Sequence, residues 1–217
     1  MDTPGTGTTE RRAVYYQPVD ELTAFILAGG KSSRMGRDKA FLEIAGRSLL
    51  QRALALAGTV AEETVIVGDA TKFSPWGRVV EDVYTERGPL GGIHAALASS
   101  KTDLNLMLAV DLPFLEARFL QYLVTEAKKS QAVVTVPESD GGLQPLCAVY
   151  RRQFASLAEQ GLLKMENKID ALFARTETRI IDESELANCG FSGKMFHNVN
   201  TPQDLEREYF IKPRTEN

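Results

Sequence analysis

No apolar run in this 217-residue chain approaches the roughly 18 residues that cross a bilayer. The N-terminus also lacks a hydrophobic signal core, so neither a membrane partner nor export is expected. Cysteine is scarce: Cys147 and Cys189 stand far apart, in no CxxC or metal-ligand spacing. That excludes a disulfide framework and leaves a reduced, cytoplasmic protein with two structural thiols. Basic charge is not in surplus either. The formal net charge is -4, which argues against nucleic acid or an anionic membrane as the partner, since both select basic surfaces. No Ser-His-Asp or paired-glutamate constellation is visible, and there is no internal repeat or low-complexity block.

The remaining composition is that of a globular protein able to bury a real core, with 43% hydrophobic and 25% charged residues. Residues 1–20 carry no apolar period and are expected to be a flexible N-terminal tail, or an arm loosely attached through Tyr15 and Tyr16. Residues 21–210 are expected to form one domain, with 211–217 as a C-terminal tail. Strands are expected at 23–27, 64–67, 78–81, 105–110, 132–136 and 145–150, with a weaker one at 178–181. Helices are expected at 49–57, 91–98, 117–128, 152–159, 164–173 and 202–208. Ser48 and Gln51 have the spacing of a capping box, and Thr201-Pro202 places a capping hydroxyl before a first-turn proline. Strands alternating with helices indicate an α/β fold with a mostly parallel sheet.

The densest chemistry lies between Leu27 and Lys39, in the stretch LAGGKSSRMGRDK. It follows the apolar 23–27 run, so a glycine loop leaves the end of a buried strand. From Lys31 to Lys39 there are four cations (Lys31, Arg34, Arg37 and Lys39) against the single acid Asp38. Glycine lets backbone approach a phosphate closely, and Lys or Arg neutralises the charge. Such a concentration on an acidic chain suggests a compact polyanion such as a triphosphate. Neither G-x-x-x-x-G-K-[ST] nor G-x-G-x-x-G is present. A solvated surface turn is the competing explanation, and the position after a strand of an α/β sheet favours a ligand site.

Four other segments stand out. Gly88-Pro89-Leu90-Gly91-Gly92 leads into a helix whose N-terminal amides could face an anion, although a Gly-Pro turn alone would account for it. His94, a few residues on, is expected to pack or face solvent. Asp82 ends the 78–81 strand, where it could simply cap a turn. Asp111, in LMLAVDLP, is delivered by a buried strand to the sheet edge. A charge there needs a partner. It could be a turn acid, but one carboxylate beside substrate phosphates is how Mg²⁺ is commonly held. Asp103 comes too early for this position and is expected on the surface.

Leu27-Ala28-Gly29-Gly30, Ser33-Arg34-Met35-Gly36 and Asp38-Lys39, in register, resemble the signature loop of nucleotidyltransferases with a Rossmann-like fold. Within these the chain is similar to the molybdenum cofactor guanylyltransferases. The G-P-L-x-G segment, Asp111-x-Pro113, Gln144-Pro145-Leu146-Cys147-Ala148-x-Tyr150 and Asn198-x-Asn200-Thr201-Pro202 extend the likeness from about Thr23 to Leu205. A cytidylyltransferase group typically has Ala where Gly29 stands, so the Gly-Gly pair favours guanine. The chain departs from some relatives at Gly68-Asp69, where they carry a polar residue after the second strand.

The resemblance implies a three-layer fold and transfer of GMP from GTP to the terminal phosphate of molybdenum-bearing molybdopterin, with release of pyrophosphate. It implies that Arg34, Lys39 and Asp111 are catalytic, and that Leu27, Ala28, Gly29, Gly30, Lys39, Asp82 and Asp111 bind GTP. It further implies that Asn198 and Asn200 bind molybdopterin and that Asp111 holds Mg²⁺. GTP and molybdopterin would be the substrates of a monomer that makes transient contact with cofactor-biosynthesis or acceptor proteins. The alternatives are a cytidylyltransferase using CTP, a sugar-phosphate nucleotidylyltransferase, and a GTP-binding regulator without transfer chemistry. Cys147 is expected in the core and His197 in a structural role.

Overall fold

A computed structural model describes residues 22–29, 38–84 and 87–199. The expected tails, Tyr15, Tyr16, Gly30, Lys31, Arg34, Arg37, Asn200, Thr201-Pro202 and the 202–208 helix lie outside the described residues.

The central strands are β1 (Leu22–Leu27), β4 (Glu63–Val67), β5 (Val79–Val80), β6 (Leu104–Ala109), β7 (Val134–Ser139), β9 (Cys147–Arg151) and β10 (Thr178–Ile181). They form one sheet in the order β10-β7-β9-β6-β1-β4-β5, and a short strand β8 (Gly142–Leu143) pairs with β7. Every neighbouring pair along this path is parallel except those made by β9, which is antiparallel to both β6 and β7. A mostly parallel sheet is covered on both faces, which explains the nearly continuous apolar runs of β1 and β6.

The alternation of side chains along each strand sorts the core into two layers. Leu22, Ala24 and Ile26 of β1 and Leu106 and Leu108 of β6 pack under α1 (Leu49–Ala57) and α4 (Ala117–Lys129), with α7 (Glu183–Asn188) at the margin. Phe25 and Met107 point the other way, toward α3 (Pro89–Ser99), α5 (Phe154–Leu163) and α6 (Ile169–Phe173). The three-layer α/β/α arrangement expected from the sequence is therefore present.

Helix α1 matches its expected bounds because its start is chemically specified. The Ser48 hydroxyl accepts from Gln51 N–H (3.2 Å) and the Gln51 side chain accepts from Ser48 N–H (2.9 Å), a complete capping box. Other boundaries moved. The 145–150 strand begins only at Cys147, because Cys147 N–H turns back to the Gln144 carbonyl at 2.9 Å and Pro145 has no N–H to give a ladder. The 132–136 strand is shifted to Val134–Ser139, and the 164–173 helix shrinks to α6. Helix α5 runs through Gly161, where a side chain would crowd Leu172 of α6. A hairpin of β2 (Glu43–Ile44) and β3 (Arg47–Ser48) was not foreseen. It turns on Ala45 and Gly46, both at positive φ, and Ala is not a residue that signals such a turn. The short α2 (Ala70–Phe73) was not foreseen either.

Candidate functional site

At β1 the order of the sheet reverses: β4 lies on one side and β6 on the other. Loops leaving the carboxyl ends of two such strands diverge to opposite faces and open a crevice between them, the usual ligand site of open α/β sheets. Both strong candidates of the sequence come to this crevice. Lys39, in a one-turn 3-10 helix (Lys39–Phe41) after β1, places Nζ 2.6 Å from Oδ2 of Asp111, just beyond the end of β6. The residues are 72 positions apart in the chain. Their side chains are 26% and 17% exposed, so the pair is partly desolvated but reachable from outside. The partner that a carboxylate at this edge requires is thus Lys39.

Backbone contacts fix both members. Asp38 caps the Lys39 turn: Oδ1 accepts the Ala40 N–H at 3.2 Å, and Oδ2 lies 3.4 Å from Nζ of Lys72 on α2. On the other side the Val110 N–H donates to the Leu27 carbonyl at 3.3 Å, stitching the end of β6 to that of β1. The Asp111 carbonyl accepts the Val199 N–H at 2.9 Å. That last bond brings in Asn198, which is exposed on the segment beside Asp111, whereas Asn200 lies outside the described residues.

Glycine at position 29 lies two residues past the end of β1. Its amide is not free for a phosphate, because the Ala28 and Gly29 N–H groups both donate to the Val67 carbonyl at 3.0 Å. A methyl group on Gly29 would meet only Gly68 Cα and the Val67 carbonyl, each at 3.7 Å, which is ordinary contact. Packing within the described protein therefore does not demand glycine here, and the bare Cα leaves an open face for a ligand. Leu27 is half-buried and packs toward α3 beside Gly92. Ala28 is buried.

Asp82 sits just past β5, with its carboxylate lying over Gly91 in the first turn of α3, where a Cβ would collide with it. Oδ1 accepts the Tyr84 N–H at 2.8 Å. Burial pushes the Asp82 carboxyl above its ordinary range, opposed by the Tyr84 hydrogen bond and the nearby His94. His94 is buried and edge-on to the Tyr84 ring at 5.1 Å, in line with the packing role expected of it. Its Nδ1 has no hydrogen-bond partner among the described residues. Cys147 is core. Gln144 spends its side-chain amide on the Ser139 and Gly142 carbonyls of the β7–β8 hairpin. Asp103 is exposed and pairs with Arg151. At Gly68-Asp69 the acid caps α2 by accepting the Thr71 N–H at 2.8 Å, and the glycine makes room for the ring of Phe73.

The donor set at Asp111 suits Mg²⁺ better than a caged ion. Among the described residues no group of three or more His, Cys, Asp or Glu side chains converges. Zinc and calcium sites need such convergence, whereas Mg²⁺ keeps several waters and accepts one carboxylate plus substrate phosphates. Among the same residues no helix is long and apolar enough to cross a membrane. Sequence reasoning missed Asp38 and Lys72. Only the Asp-Lys pair in the loop hinted at the first, and nothing at the second.

The chain is also similar to known proteins. A family model described as "MobA-like NTP transferase domain" matches residues 24–179. A Clostridium perfringens protein named "Probable molybdenum cofactor guanylyltransferase" is 32% identical over 85% of this chain and 94% of its own length. A "Molybdenum cofactor guanylyltransferase" from Desulfosudis oleivorans is 33% identical, over 87% of this chain and 95% of that protein. Among solved structures, "Molybdopterin-guanine dinucleotide biosynthesis protein A from Archaeoglobus fulgidus" superposes with a TM-score of 0.74 at 28% identity, covering 85% of this chain and 95% of that one.

Proposed function

This chain belongs to the MobA-like NTP transferase domain family of nucleotidyltransferases, and from that premise we propose that it transfers GMP from GTP to the terminal phosphate of molybdenum-bearing molybdopterin. An oxygen of the acceptor phosphate bonds to the α-phosphorus of GTP, the bond from that phosphorus to the β-bridging oxygen breaks, and pyrophosphate leaves with its electron pair. The observation that carries the reading is the Lys39–Asp111 pair across the β1–β6 crevice. It joins a cation suited to phosphate with an acid suited to a divalent metal, in a family of nucleotidyltransferases.

The acceptor phosphate is already anionic at neutral pH, so the step needs no general base. The task is to hold two anions together while charge builds on the leaving group. Two like charges about 4 Å apart repel by about 4 kcal/mol at an effective dielectric near 20. Lys39, with Arg34 from the same loop, offsets that repulsion at the phosphates. Asp111 would hold Mg²⁺, whose chemistry there is that of a Lewis acid and template. Asp82 and the open face of Gly29 serve the nucleoside end. Alanine is typical of a similar cytidylyltransferase group at position 29, so the glycine here favours GTP over CTP. Asn198 and Asn200 serve the pterin side.

The test is incubation of the purified protein with Mg²⁺, molybdopterin and either GTP or CTP, following pyrophosphate release and the nucleotidylated pterin. Guanylated pterin with CTP inert is the expected result. Preferential use of CTP would reassign the nucleotide, and GTP binding without pyrophosphate from any acceptor would leave a GTP-binding regulator.

A further inference from the structure

We infer that Lys39 is the resident counter-ion of Asp111 in the nucleotide-free protein, and that a divalent metal gains this carboxylate only when a triphosphate draws Lys39 away. This inference rests on the function proposed above and adds to it an order of loading: metal and nucleotide bind with positive coupling, each clearing the way for the other.

The ammonium stands 2.6 Å from Oδ2 in a partly desolvated crevice. A dication placed on the same carboxylate would meet a like charge at contact range, where reduced dielectric magnifies repulsion. One of the two must move. Neither backbone is placed to do so. Asp38, the acid nearest to Lys39 in sequence, accepts the Ala40 N–H and faces Lys72, so it holds the turn. Asp111 is held through its own carbonyl by Val199 and through its neighbour Val110 by Leu27. The exchange therefore falls to the Lys39 side chain, whose four rotatable bonds let it swing from carboxylate to phosphate without disturbing the loop.

A ligand shifts an equilibrium only through a difference in affinity for its two states. The ion pair supplies that difference twice, because it blocks the metal's ligand and occupies the cation that the phosphates seek. By linkage the factor by which nucleotide improves metal binding equals the factor by which metal improves nucleotide binding. The same pair spares the free enzyme a desolvated, unpartnered carboxylate.

The test uses Mn²⁺ as a spectroscopic probe, titrated by electron paramagnetic resonance into the full chain without nucleotide. Wild type should bind weakly. Lys39→Met should bind about tenfold more tightly, toward the lower end of the range for such couplings, and Lys39→Arg should behave as wild type because it keeps the charge. Lys39→Gln replaces the methionine variant should that one fail to fold, as judged by its melting curve. Equal Mn²⁺ affinity in wild type and the neutral variants overturns the inference. Asp111→Asn, examined with a non-hydrolysable GTP analogue, separates this from the premise. Loss of the protein-bound ternary Mn²⁺ signal supports the functional reading whatever Lys39 does. A retained signal removes Asp111 as the ligand and overturns both.

Discussion

Truncating Phe119 to leucine should loosen the segment that carries Asn198, and the size of the effect follows from ring geometry. Phe119 of α4 is fully buried and receives two edge-to-face contacts, from Phe191 at 5.4 Å and 79° and from Phe196 at 5.3 Å and 90°. Phe196 closes the short 3-10 turn Gly193–Phe196, three residues before Val199 ties the chain to Asp111. Each aromatic pair contributes about 1 kcal/mol beyond its buried area. Leucine also leaves a gap of roughly one methylene, about 0.8 kcal/mol more. The sum is about 3 kcal/mol, and at about 2–4 °C per kcal/mol for a chain of this size it lowers Tm by about 9 °C. The assays are a thermal melt followed by circular dichroism and amide hydrogen exchange read at Val199. Exchange there should accelerate more than in β1 or β6, because the loss is local to the clamp. A Tm within 2 °C of wild type, or Val199 protection unchanged relative to those strands, would refute the reasoning.

Further outcomes follow from other contacts. Asp111→Asn should cut nucleotide transfer at least about 100-fold, the scale of losing one charge-stabilising group, while moving Tm by no more than about 3 °C because the pair is partly exposed; turnover near wild type would remove its role. Ser48→Ala breaks the capping box of α1 and should cost about 1 kcal/mol in urea unfolding; an unchanged midpoint would show that the cap adds nothing. Arg179 donates to Glu185 and holds its carboxyl below the ordinary 4.5, against burial and with help from the Tyr122 hydroxyl. A lowered carboxylate pKa stabilises the fold above about pH 4.5 and loses that contribution as the pH falls through the folded value. Glu185→Gln should therefore flatten the acid limb of stability against pH, and identical limbs would exclude the assignment. Burial pushes the Cys147 thiol well up, so a thiol reagent at pH 8 should modify no more than one cysteine until the protein is denatured; two fast-reacting thiols in the native state would contradict it.

Much of the molecule is legible in its residues because local chemistry and tertiary need coincide. The apolar runs of β1 and β6, short and followed by glycine or proline, read as strands buried on both faces, and Ser48 with Gln51 marks the start of α1 to the residue. Lys39 and Asp111 declare themselves by position, a cation after one buried strand and an acid at the end of another. Where local preference and packing conflict, reading the chain fails. Gly161 looks like a break, yet α5 passes through it, and a side chain there would crowd Leu172. Ala45 gives no hint that it occupies a left-handed turn.

The alternation of strands and helices, the loop of glycines and cations, and the family likeness together determine an α/β nucleotidyltransferase. Tertiary structure alone decided who partners whom. That Lys39 reaches Asp111 across 72 positions, that Asp38 meets Lys72, and that Val199 returns to the Asp111 carbonyl all depend on β1 lying between β4 and β6. A sequence fixes the charge and shape of each side chain through local bonds, whereas ion pairs and long-range hydrogen bonds fall off steeply with distance and exist only once the strands have chosen their order.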